Sequence, residues 1–126
     1  KPYLAWNTPG GDNQPQAMLQ SFLAHVEFGM NIQQAVEAPT VMSTSLHNHV
    51  FPHAVDGTLV IPKVLADKAG PALSALGHRV VITPLQKPYG QQPSGAGAVK
   101  MVRFDPRTAV LSGGVSPAKD DYVAGW

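Results

Sequence analysis

Apolar residues in this chain fall into short clusters separated by polar, proline- and glycine-bearing stretches, and the spacing inside each cluster predicts its local structure. Leu4, Ala5 and Trp6 form a brief apolar run that suits a buried strand. Leu19, Phe22, Leu23, Val26 and Met30 then recur at helical spacing, with Gln14, Gln16, Gln20 and Glu27 on the polar positions. This predicts an amphipathic helix from about residue 13 to 29. Asp12 or Asn13 is placed to cap it, and Pro15 falls in the first turn, where its lost N–H costs no helical bond. A strand, a turn and a helix therefore frame Gly10 and Gly11.

Gly29 is placed to end that helix, and Asn31 with Gln34 resembles a capping pair for a second, shorter helix through Val36 or Glu37, stopped by Pro39. Residues from Thr40 to Asp56 lack periodicity and predict a loop, with a brief strand at Thr40–Met42. Thr58–Ile61 predicts a strand, and Pro62 opens a helix carrying Val64, Leu65, Ala69, Leu73 and Leu76 up to Gly77. Gly70-Pro71 interrupts that pattern, which predicts a kink or two shorter pieces. Arg79–Thr83 predicts another strand, and Lys87–Gly97, rich in Pro, Gly and Gln, a loop or flap. Ala98–Phe104 and Ala109–Ser112 predict an antiparallel hairpin across Asp105-Pro106-Arg107-Thr108. The element order fits an α/β or α+β sandwich, and periodicity alone does not choose the topology.

At 126 residues and 44% hydrophobic content, the chain is read as one domain or a segment of one. A net charge of +1 without a Lys/Arg cluster gives no electrostatic footprint for nucleic acid or an anionic membrane, so neither is expected as a partner. No apolar run approaches a membrane span, and the opening Lys1-Pro2-Tyr3 does not read as a signal peptide. The lack of cysteine excludes disulfides, thiolate catalysis and Cys-ligated zinc, without identifying a compartment.

Candidate chemistry centres on Thr8-Pro9-Gly10-Gly11-Asp12. Two consecutive glycines at the mouth of a helix can take positive φ and present main-chain N–H groups to an anion, although many such runs are ordinary turns. His47, His49 and His53 form a second candidate, since alternate positions on a strand point the same way and imidazole ligates zinc, copper or nickel. With Asp56 the sole nearby carboxylate, structural or exposed histidines are the favoured reading there, and no metal or cofactor is expected. His78 reads as a strand-entry residue, and His25 as a partly buried histidine with a hydrogen-bond partner rather than a catalytic base.

The Gly-Gly-Asp-Asn-Gln entry to a long apolar helix is followed by Phe28-Gly29-Met30-Asn31 and by Ala35-Val36-Glu37-Ala38-Pro39. Gly77-His78-Arg79-Val80, Gly113-Gly114 and the ending Asp120-Asp121-Tyr122-Val123-Ala124-Gly125-Trp126 complete an ordered series running nearly end to end. The series resembles the γ-glutamyltransferase family, in the C-terminal part of its small catalytic subunit. Two departures point to a divergent subfamily: Ser116-Pro117-Ala118 where the family has Asp-Pro-Arg, and Gly95-Ala96-Gly97-Ala98 where it has a Gly-Gly-x-Gln type run.

The resemblance implies an α+β fold, part of the four-layer αββα sandwich of N-terminal-nucleophile hydrolases. It implies transfer or hydrolysis of a γ-glutamyl group from glutathione-like small molecules, after self-cleavage exposes a threonine nucleophile. None of Thr8, Thr40, Thr44, Thr58, Thr83 or Thr108 lies in a sequence resembling the family's cleavage site. Residues 1–126 are accordingly expected to be a segment lacking the nucleophile, inactive alone, whose partner is the remainder of its own precursor. Gly10 and Gly11 match the family's glycine pair that forms the oxyanion hole. A periplasmic or extracellular location is implied, with a cytoplasmic one left open. A β-lactam side-chain acylase, another amidase of the same fold, a non-catalytic homologue and a metal-binding protein are the alternatives.

Overall fold

The computed structural model describes residues 2–47, 55, 57–83, 98–117 and 122–124. Strand β1 (Leu4–Asn7) runs into a 3₁₀ turn at Gly11–Asn13 and then helix α1 (Gln14–Val26). A short helix, α2 (Ile32–Glu37), precedes strand β2 (Met42–Ser43), and β3 (Thr58–Pro62), α3 (Lys63–Ala75) and β4 (Arg79–Thr83) follow as a βαβ unit. The hairpin β5 (Lys100–Asp105) and β6 (Val110–Val115) completes the order.

These strands make two three-stranded sheets. In the first, the order is β1-β5-β6, all antiparallel, with Trp6 opposite Met101 and Met101 opposite Gly114. In the second, β3 lies between β2, antiparallel, and β4, parallel. The parallel pair requires a crossover, and α3 supplies it. Helix α2 packs on β5 and β6, and α3 on β3 and β4. The buried cluster of Ala17, Ile32, Val36, Val99 and Met101, with Leu4 and Trp6 against it, joins α1, α2 and the first sheet. Trp6 stacks on Phe22 at 5.4 Å and donates its indole N–H to the Met18 carbonyl at 3.3 Å, which sets α1 against β1.

Several local expectations are met. Asn31 accepts the Gln34 N–H while the Gln34 side chain accepts the Asn31 N–H, a reciprocal cap on α2. The α1 helix stops earlier than its apolar pattern, because the Phe28 and Met30 N–H groups take the Leu23 and Ala24 carbonyls and Gly29 turns at φ 68°. Asn13 occupies the cap position of α1 without a side-chain capping bond, since its backbone is already helical in the 3₁₀ turn. The brief strand falls at Met42–Ser43 rather than Thr40–Met42. Helix α3 is a single element through Gly70-Pro71, not two pieces. Strand β6 extends past Ser112 to Val115 because Gly113 and Gly114 continue the pairing with Val102 and Met101. The Lys87–Gly97 loop lies outside the described residues.

Candidate active site

The turn between β1 and α1 holds Gly10 at φ 136° and Gly11 at φ 54°. Both angles lie where side-chain-bearing residues are strained, so glycine is required at two successive positions. The Gly10 carbonyl accepts the Asn13 N–H at 3.1 Å and the Gly11 carbonyl accepts the Gln14 N–H, which ties the carbonyls down. Neither glycine's own N–H has an acceptor among the described residues. Both glycines are exposed, whereas Thr8 just before them is buried and donates its hydroxyl to the Pro9 carbonyl at 2.9 Å. The turn thus has two consecutive main-chain N–H groups without an acceptor among the described residues, at the start of a helix whose dipole favours negative charge.

Two side chains that the sequence pattern assigns to the polar face of α1 have a further role. Gln16 and Gln20 each exchange two hydrogen bonds with the backbone of the 41–43 segment: Gln16 with Ser43, and Gln20 with Val41. Glutamines on a helix carry no sequence signal for such docking. It appears only when the helix and strand β2 are brought side by side.

Another cluster lies at the far end of α1. The Met30 carbonyl accepts from His25 Nδ1 at 2.7 Å, leaving Nε2 to accept the Tyr3 hydroxyl at 3.1 Å in the neutral tautomer. Arg103 Nε donates to the same Tyr3 oxygen at 3.2 Å, and its guanidinium lies 5.4 Å from the Tyr3 ring centroid. The Tyr3 bond is the largest cause holding the Arg103 pKa above the ordinary arginine value; burial, next in size, opposes it, and the nearby Asp105 carboxylate adds to the rise. Both His25 nitrogens are thus engaged structurally, as expected of a partly buried histidine. His78 precedes β4 and donates its N–H to the Leu73 carbonyl, consistent with strand entry.

His47 is exposed, while His49 and His53 lie outside the described residues. Among the described residues no group of three His, Cys, Asp or Glu side chains is arranged to hold a metal. No helix among them is long and apolar enough to cross a membrane. Of the two departures, Ser116 is buried with its N–H on the Val99 carbonyl, whereas Ala118 and Gly95–Gly97 fall outside the described residues.

The gamma-glutamyltranspeptidase family model matches residues 1–126, the whole length of the chain. The chain belongs to this family. It is 30% identical over 125 residues to the glutathione hydrolase proenzyme of Bacillus subtilis subsp. natto, covering 99% of this chain and 18% of that protein. Among solved structures it is similar to LmbA2991HD, with 30% identity, a TM-score of 0.76, and coverage of 93% of this chain and 20% of that one. It is also similar to the cephalosporin acylase of Bacillus halodurans, with 25% identity, a TM-score of 0.75, and coverage of 96% and 19% respectively. The chain therefore spans less than one fifth of the curated relatives it matches, and its α+β fold is part of the four-layer αββα sandwich of N-terminal-nucleophile hydrolases.

Proposed function

We propose that this chain is the C-terminal part of the small subunit of a γ-glutamyl transferase or hydrolase acting on glutathione-like amides, and that Gly10 and Gly11 form its oxyanion hole. The observation carrying this reading is the pair of N–H groups, without acceptors among the described residues, on consecutive exposed, positive-φ glycines. In the proposed reaction a threonine hydroxyl, supplied by the part of the longer protein that this chain does not span, attacks the γ-carbonyl carbon. Its α-amine takes the hydroxyl proton. The carbonyl oxygen becomes an oxyanion, to which the two glycine amides donate. Collapse breaks the C–N bond, the protonated amine leaves, and water or an acceptor amine then resolves the acyl-enzyme. The segment by itself contributes donors but no nucleophile and is inactive alone. Its partner is the remainder of its precursor, and the family resemblance carries a periplasmic or extracellular location.

Donors fixed before the reaction stabilise charge that develops only in the transition state, so their loss acts on kcat. Gly11→Val in the full-length protein puts a branched side chain at a positive-φ position beside the donors. We expect kcat on γ-glutamyl p-nitroanilide to fall about 10²–10³-fold with a much smaller change in KM. A folded, self-cleaved variant with the parental kcat would make this an ordinary turn. The similarity to a cephalosporin acylase supports a second reading, a side-chain acylase using the same glycines. Comparing kcat/KM for γ-glutamyl and β-lactam side-chain amides decides between the two donors.

A further inference from the structure

Gln16 sits in the first turn of α1 and Gln20 one turn later, so both ride on the helix that follows the glycine turn. Gln16 accepts the Ser43 N–H at 2.8 Å and donates to the Ser43 carbonyl at 3.0 Å. Gln20 accepts the Val41 N–H at 2.8 Å and donates to the Val41 carbonyl at 2.9 Å. The spacing matches: four residues of helix rise about 6 Å, and two residues of strand about 6.6–6.8 Å. A helix lying along a strand can therefore present its i and i+4 amides to alternate strand residues. The opposite edge of this segment is already committed, since Met42 and Ser43 pair with Val60 and Leu59, and the Thr44 N–H bonds the Thr58 carbonyl. The two glutamines do for the free edge what a neighbouring strand would do. Their four hydrogen bonds set both the height and the rotation of α1, and sliding the helix by one residue would break all of them.

We infer that Gln16 and Gln20 are positioning residues for acyl transfer, holding the Gly10 and Gly11 amides in a fixed place relative to β2 and its sheet. The inference rests on the oxyanion reading above. Its physical basis is the sensitivity of oriented donors to displacement, where a shift of about 1 Å can cost on the order of 10²-fold in rate. Glutamine is specific to the task. Glutamate lacks the donor, asparagine is shorter by one methylene, and methionine keeps the length while losing both bonds.

The test uses the full-length protein and γ-glutamyl p-nitroanilide. Gln16→Met with Gln20→Met should lower kcat about 10–10²-fold, with KM nearly unchanged and the shape of the kcat–pH profile preserved. Gln33→Met is the control: Gln33 makes the same kind of amide pair with Val115, at 2.9 and 3.2 Å, but on β6. It should lower the melting temperature while leaving kcat at the parental value. Parental kcat in a folded, self-cleaved double variant would overturn the inference, as would an equal kcat loss in Gln33→Met, which would mean general loosening. Should the double variant fail to accumulate, the single variants carry the same test. Gly11→Val separates the two levels: undiminished kcat there removes the oxyanion reading itself. Loss there with parental kcat in the glutamine variants removes the positioning role alone.

Discussion

At Gly10–Gly11 the backbone turns through φ values of 136° and 54°, both residues exposed and their N–H groups without an acceptor among the described residues. At Gly113–Gly114 the chain is an ordinary strand, opposite Val102 and Met101, and neither glycine has a positive φ. What the second pair lacks is room. A Cβ on Gly114 would sit 3.0 Å from the backbone N and Cα of Gln33 and 3.0 Å from Ile32 Cγ2. Identical dipeptides thus answer different physical demands. The first pair is required by backbone conformation, and the proposed oxyanion role rests on it, whereas the second lets α2 lie close on β6.

The largest effect that would break this contrast is catalytic. Gly11→Val should cost kcat about 10²–10³-fold, roughly 2.7–4 kcal/mol of transition-state stabilisation, whereas Gly114→Ala should leave the kcat of correctly folded protein as it was. If Gly114→Ala lowered kcat as much as Gly11→Val, the division between a chemical pair and a packing pair would fail. Steady-state kinetics of both variants, after confirming self-cleavage, makes the comparison directly.

Stability supplies the next test, with the order reversed. In Gly114→Ala the added methyl meets helix backbone, which cannot move as a side chain can, so overpacking should destabilise by about 1–3 kcal/mol. Gly113→Ala meets Val123 Cγ1 at 2.7 Å, the tip of an exposed side chain that can rotate away. There, the gain from a less flexible unfolded chain, about 0.4–1 kcal/mol, opposes the clash, and the net change should stay within about ±0.5 kcal/mol. Denaturant unfolding of the two alanine variants reads the difference. Equal losses would place the crowding in the strand rather than at the helix contact.

The sequence made one of these glycine pairs easier to single out than the other. The β1–turn–α1 unit, the Asn31/Gln34 cap and the β5–β6 hairpin were legible because each is decided by residues a few positions apart. Gly10–Gly11 stood out for the same reason, since a helix pattern begins immediately after it. The crowding at Gly114 depends on α2, far away in sequence, just as the β1–β5 register depends on strands nearly the whole chain apart. Gln16 and Gln20 were legible only as polar positions, because an exposed glutamine and one docked on a strand edge fit the same helical pattern. The loop histidines stayed undecided by the fold, with only His47 among the described residues.

A smaller, pH-dependent effect sharpens the comparison by loosening one side of it alone. Asp105 ends β5 at the hairpin that presents Gly113 and Gly114, and its carboxylate accepts the Arg107 N–H at 2.9 Å. That bond, followed by the Thr108 N–H and the charge of Arg103, holds the Asp105 pKa below the ordinary aspartate value, with burial pulling the other way. A carboxylate whose pKa is lower folded than unfolded adds stability that is fully present above the unfolded value, and loses it as pH falls through the folded one. Asp105→Asn should therefore be less stable than the parent near neutral pH, with the gap narrowing as pH falls below about 4. Thermal unfolding of the full-length pair across that range checks the sign. At neutral pH, kcat should be the same in both proteins, because the Gly10–Gly11 turn follows the Asn7 end of β1, beside Lys100, whereas Asp105 lies at the opposite end of β5, beyond the Leu4–Arg103 pair. A constant gap at all pH values would show that Asp105 acts through its shape and not its charge.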